Sequence, residues 1–115
     1  MARISGDKNV INYKPTIQLF EAPSWCGHCK NFSPIWQQLQ EIKTTRENDK
    51  QIIKANEIIN FESYDDNHQK TKDEDIKMFP TLKFIINGEK YDYTGQRTHK
   101  EMLAFMLDKL NQKQN

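Results

Sequence analysis

The chain's two cysteines lie in one pentapeptide, Trp25-Cys26-Gly27-His28-Cys29. A strand-forming run precedes them and an amphipathic helical pattern follows, so the spacing predicts Cys26 at the head of a helix. There the leading sulfur meets unpaired backbone N–H groups and the positive end of the helix dipole, both of which favour thiolate over thiol. The thiolate is the form that attacks a disulfide, and its pKa is expected below the free-cysteine value of about 8.5. Cys29, one turn further on, is placed to resolve the mixed disulfide that such an attack creates. The implied chemistry is reversible thiol–disulfide exchange. An imidazole at His28 can donate a hydrogen bond or partial positive charge to the neighbouring thiolate. That stabilises the reduced pair and makes its disulfide a stronger oxidant, each ~1.4 kcal/mol raising the potential by ~30 mV. A C-x-x-C pair is also half of a zinc site, but zinc takes four ligands. His68 and His99 stand at no ligand-like spacing, so the reading assigns neither metal nor cofactor.

The elements that must position these groups can be read on either side of them. Thr16-Ile-Gln-Leu-Phe20 alternates and predicts a buried strand feeding the motif. From Cys26 to about Lys43, Phe32, Ile35, Trp36, Leu39 and Ile42 fall at three- and four-residue spacing, an amphipathic helix. Pro34 lies inside it, removes the hydrogen bond to Lys30, and is expected to kink the axis. A short strand is expected near Asn9–Tyr13 and a loop or frayed helix end over Thr44–Lys54. A strand is then expected at Glu57–Phe61, and a loop closing in a short helix over Asp65–Asp75. Thr81–Ile86 reads as a strand, Asn87-Gly88 as a hairpin turn, and Glu89–Tyr93 as the antiparallel return. Thr98-His-Lys-Glu101 has capping-box spacing and opens a helix whose Met102, Leu103, Phe105, Met106 and Leu110 face inward. Residues 1–8 and 111–115 are expected to be poorly ordered. The order of elements predicts a single two-layer α/β domain over 1–115, with the long helix over one face of a mixed sheet.

Composition excludes other classes. Lys and Arg total 17 against 16 Asp and Glu, and the three arginines are scattered, so neither nucleic acid nor an acidic membrane is indicated as a partner. No apolar stretch is long enough to span a bilayer. Asp7, Lys8, Asn9 and Asn12 interrupt the region where a secretory signal needs an apolar core, so the chain as written reads as cytoplasmic. A removed signal or a viral source would instead point to an oxidising compartment resembling the endoplasmic reticulum, or to a virion. In a reducing compartment two cysteines at this spacing are redox-active or metal-binding rather than a structural staple.

Three segments together resemble the thioredoxin superfamily: Ala22-Pro-Ser-Trp-Cys-Gly-His-Cys-Lys30 with Phe32 and Pro34, Phe79-Pro-Thr-Leu-Lys-Phe84, and Tyr93-Thr-Gly-Gln-Arg-Thr98. The resemblance runs from about Thr16 to Leu110. The Gly27-His28 dipeptide is similar to that of protein disulfide isomerase domains, whereas thioredoxin reductants typically carry Gly-Pro there. The resemblance implies a thioredoxin fold, with the usual first helix missing or shortened. It implies Cys26 as nucleophile, Cys29 as resolving thiol, and Pro80 as the cis-proline beside them; an X–Pro bond is the one peptide bond that adopts cis at small cost. Trp25, Phe79, Pro80 and Gly95 would form the rim on which a substrate polypeptide rests. Arg97 matches the arginine that swings toward the resolving cysteine in isomerase domains.

One departure concerns the buried acid that the family places on the preceding strand to accept the resolving cysteine's proton. That position is Phe20 here, or Leu19 if Ser24 is an insertion. Glu21 lies one or two positions away, and a one-residue offset turns a strand side chain to the other face, so the sequence does not assign it. The function implied is disulfide exchange with protein or peptide substrates, with glutathione or a thioredoxin-reductase-like protein as electron partner. The alternatives are a cytosolic thioredoxin-type reductant and a thioredoxin-fold binding module that turns over little.

Overall fold

A computed structural model describes residues 14–45 and 49–114. The strand expected at Asn9–Tyr13, the shortened first helix and the poor order expected over 1–8 lie outside the described residues.

Strand β1 (Thr16–Glu21) is central and buried on both faces, with Ile17 and Leu19 on one and Thr16, Gln18 and Phe20 on the other. It pairs in parallel with β4 (Asn60–Asp65) and antiparallel with β5 (Thr81–Ile86). With β6 (Glu89–Tyr93) the order is β4-β1-β5-β6, a mixed sheet. Asn87 (φ 53°) and Gly88 (φ 81°) join β5 to β6, both in the left-handed region that a two-residue hairpin of this type requires.

Helix α1 (Gly27–Glu41) covers one face, burying Phe32, Trp36 and Leu39 against Ile17, Leu19, Leu82, Phe84 and Ile86. Complete burial of such a side chain contributes about 1.5–3 kcal/mol. The helix runs on through Pro34 to Glu41. Near its far end the sequence predicts loop, but Lys43–Thr45 (β2) and Ile52–Lys54 (β3) form a small antiparallel ribbon. The strand expected at Glu57–Phe61 is displaced. Ala55–Ile58 is a single helical turn (α2), capped where Glu57 Oε2 accepts the Lys54 N–H at 2.7 Å, and β4 starts only at Asn60.

A short helix, α3 (Gln69–Asp73), follows β4 and leads to Glu74. Glu74 accepts hydrogen bonds from Lys90 at 2.6 Å and Lys83 at 3.3 Å, with Lys70 at 3.4 Å. The Lys90 bond foremost, then those of Lys83 and Lys70, outweigh burial and bring its carboxyl down to about 2. This fastens the segment before Pro80 onto β5 and β6. The last helix, α4 (His99–Gln114), begins where Thr98 Oγ1 accepts the Glu101 N–H at 3.2 Å, and it buries Met102 and Met106. It continues to Gln114.

Candidate active site

The site is built at the C-terminal end of β1. Ala22, fully buried, accepts through its carbonyl the N–H groups of Trp25 (3.2 Å) and Cys26 (2.9 Å), a turn that swings the chain into α1. Cys26 is thereby the N-cap, in extended conformation. Its Sγ takes the place of the usual capping oxygen, accepting the Cys29 N–H at 3.1 Å. The two cysteines are joined as a disulfide, Cα atoms 5.2 Å apart. The Ala22 N–H donates to Cys29 Sγ at 3.4 Å. Both cysteines are buried, Cys26 with 5% of its surface exposed and Cys29 with 2%.

Beside the pair the Phe79–Pro80 peptide is cis, and the Phe79 carbonyl oxygen lies 3.5 Å from Cys26 Sγ. Phe79 packs with Ala22 and the cysteines, and its ring meets that of Trp25 edge-on at 5.8 Å. Trp25 is 63% exposed, yet its indole N–H donates to the Asp66 carboxylate at 3.0 Å, so the ring is held from two sides. On the other side of the loop, Arg97 Nη2 donates to the Pro80 carbonyl at 3.4 Å. His28 and Gly27 stand exposed on the first turn of α1, and a side chain at Gly27 would meet only open space.

Trp25, Cys26, Cys29, Phe79, Pro80 and Arg97 are therefore brought together. Gly95 lines a different hollow, with Tyr93, Thr94 and Phe105, and its lack of a side chain has a local cause: a Cβ there would stand 2.8 Å from the Tyr93 hydroxyl. Two further residues that sequence reasoning missed adjoin these, Asp66 through its bond to the Trp25 indole and Met78 through its place in the chain before Phe79. Met78, two residues before Pro80, is 77% exposed, and that position in the chain was the available signal. Asp66 had no signal, because only the pairing of β4 with β1 brings it to Trp25.

Leu19 and Phe20, the two positions where the family's acid would fall, are apolar and buried. Glu21 ends the strand, half-buried, on the face of Ile17 and Leu19 that α1 covers. Burial first, and then the Asp65 carboxylate opposite it in register, push its carboxyl above the ordinary range.

A sulfur capping a helix, a second sulfur covalently bound to it and an apolar rim at its side are what a dithiol–disulfide exchanger needs. The thioredoxin family model matches residues 5–108. The protein disulfide-isomerase erp38 of Neurospora crassa is 37% identical over 71 residues, covering 62% of this chain and 17% of the fungal protein. Protein disulfide-isomerase of Gallus gallus is 40% identical over 65 residues, 56% of this chain and 10% of that one. The matched region thus spans less than a fifth of either relative. The solution structure of the first thioredoxin domain of mouse protein disulfide-isomerase A4 superposes with a TM-score of 0.61 at 28% identity, covering 90% of this chain and 68% of that one. The J-Trx1 fragment of ERdj5 gives 0.61 at 18% identity over 96% of this chain and 50% of that one, a likeness of fold alone. No helix among the described residues is long and apolar enough to cross a membrane.

Proposed function

The chain belongs to the thioredoxin family, and on that premise we propose that it exchanges disulfides with protein substrates, in the manner of a protein disulfide isomerase domain. In the oxidising direction a substrate thiolate attacks Cys26 Sγ. The Cys26–Cys29 bond breaks and its electron pair leaves on Cys29 Sγ, where the Ala22 N–H receives the developing charge. A second substrate thiolate attacks the mixed disulfide and expels Cys26 as a thiolate. The substrate loses two electrons and becomes a disulfide; the protein gains them as a dithiol. Isomerisation begins with the reverse attack, by the Cys26 thiolate on a substrate disulfide.

The observation that carries this reading is the Cys29 N–H directed at Cys26 Sγ at 3.1 Å. A first-turn donor with no partner in the helix is spent on the sulfur, and a hydrogen bond to a charged acceptor is roughly twice as strong as one to a neutral group. In the reduced protein that favours the thiolate and lowers its pKa. The Phe79 carbonyl works against this, since an oxygen lone pair repels a thiolate, and the exposed imidazole at His28 works with it. Glu21 fits as the acceptor of the Cys29 proton. It shares the face of Leu19 one pleat nearer the cysteines, and its carboxyl is poised above its ordinary value. Trp25, Met78 and Phe79 form the bench for an apolar substrate segment.

The test is refolding of scrambled ribonuclease together with insulin reduction, on the wild type and Cys26→Ser. The expected result is activity in the first assay, lost in the variant. Activity in insulin reduction alone would mark a reductant, and activity in neither would leave a binding module.

A further inference from the structure

An unbroken series of contacts crosses the redox face. Asp66 accepts the Trp25 indole N–H at 3.0 Å, Trp25 meets Phe79 at 5.8 Å, and the Phe79 carbonyl stands 3.5 Å from Cys26 Sγ. Pro80 follows, and its carbonyl takes Arg97 Nη2 at 3.4 Å. The face is therefore apolar in the middle, where the disulfide lies, with a carboxylate at one end and a guanidinium at the other. Neither charge is consumed by a salt bridge among the described residues. Asp65, in register with Glu21, precedes Asp66 in the chain; beyond Pro80, Lys77 pairs with Asp75 at 3.4 Å and Lys83 with Glu74 and Asp92 at 3.3 and 3.6 Å. Arg97, Pro80 and Met78 also line one edge of a shallow cavity of about 520 Å³ with room for further substrate residues.

We propose that the redox face reads the order of charges along its substrate: it takes a peptide disulfide whose cysteine has a cationic residue on one flank and an anionic residue on the other, in one chain direction. This rests on the disulfide-exchange reading and adds a selectivity to it. The substrate cysteine must reach Cys26 over the bench of Trp25 and Phe79, which fixes where its neighbours fall. The flank over Trp25 meets Asp66, and the flank over Pro80 meets Arg97. A chain threaded the other way places like charge on like charge at both ends, and like-charge juxtaposition is the stronger discriminator.

Two capped peptides of identical composition separate this from net-charge attraction: Lys-Gly-Cys-Gly-Glu and Glu-Gly-Cys-Gly-Lys, each as its symmetric disulfide. The rate of reduction by the dithiol protein is followed by stopped-flow tryptophan fluorescence. One order should react about fivefold faster at low ionic strength, from two exposed contacts of the usual strength, and the ratio should fall toward one near 1 M salt. Asp66→Asn and Arg97→Gln should each lower the ratio, and the double variant should abolish it, whatever either change does to the overall rate. Equal rates for the two orders in the wild type would overturn the proposal while leaving disulfide exchange standing. A ratio unmoved by salt and by both substitutions would overturn it too. Failure to reduce either peptide would count against the exchange reading itself.

Discussion

Replacing Glu74 by Gln tests whether a single carboxylate ties the cis-proline segment to the sheet. Glu74 keeps 16% of its side chain exposed and meets three lysine ammonium groups, at 2.6, 3.3 and 3.4 Å. Its carboxyl lies at about 2 against an ordinary 4.5. At about 1.36 kcal/mol per pKa unit that difference sets a ceiling of roughly 3.4 kcal/mol. Lys70 and Lys90 are 35% and 39% exposed, so solvent and salt screen them. Three contacts of partly exposed type then amount to about 1–2 kcal/mol. A native pKa below the unfolded one gives stability that is complete above pH 4.5 and lost as the pH falls through about 2. Urea unfolding of the oxidised wild type and Glu74→Gln should therefore differ by about 1–2 kcal/mol at pH 7, roughly 4–15 °C in Tm for a domain of this size. The gap should close progressively between pH 4.5 and 2. Gln can still accept from lysine, so the gap reports charge rather than hydrogen bonding. A gap of the same size at pH 2.5 and pH 7, or none at either, would refute the reasoning.

Two further outcomes concern the redox pair. His28→Pro should make the protein more reducing, by about 30 mV if the imidazole contributes ~1.4 kcal/mol; a glutathione redox titration showing no change or a rise would contradict this. Glu21 has a raised carboxyl pKa, so its contribution is present below pH 4.5 and is lost as the pH rises through the elevated native value. Glu21→Gln should accordingly gain stability relative to the wild type between pH 4 and pH 7, while its mixed disulfide with glutathione persists severalfold longer. A lifetime equal to that of the wild type would remove Glu21 from proton transfer.

Much of the site was legible because its signals are local. Cys26 and Cys29 declare themselves by spacing, Pro80 by its resemblance to the family's cis-proline, and Thr81–Ile86 with Glu89–Tyr93 by the Asn87-Gly88 turn between them. The ribbon of β2 and β3 was not legible, because five of its six residues are exposed and only Ile53 is buried, which leaves no apolar period. The displaced β4 has a different cause. Ile58, Ile59 and Phe61 read as one strand, but the Ala55 N–H bonds the Ile42 carbonyl at 2.7 Å and starts a helical turn there. Ile58 is left 41% exposed while Ile59 is buried. Asp66 reaches Trp25 from 41 residues away, and the face Glu21 occupies depends on register; neither fact is written in any window of sequence. Arg97 was singled out by resemblance, but its contact with the Pro80 carbonyl emerges only in three dimensions.

The ionisation of Cys26 in the reduced protein is the most direct test. Alkylation by iodoacetamide is followed against pH, and mass spectrometry assigns the modified residue. A midpoint below about 7.5, with Cys26 labelled ahead of Cys29, is the predicted result. A midpoint at the free-thiol value of about 8.5, or labelling of Cys29 first, would contradict it.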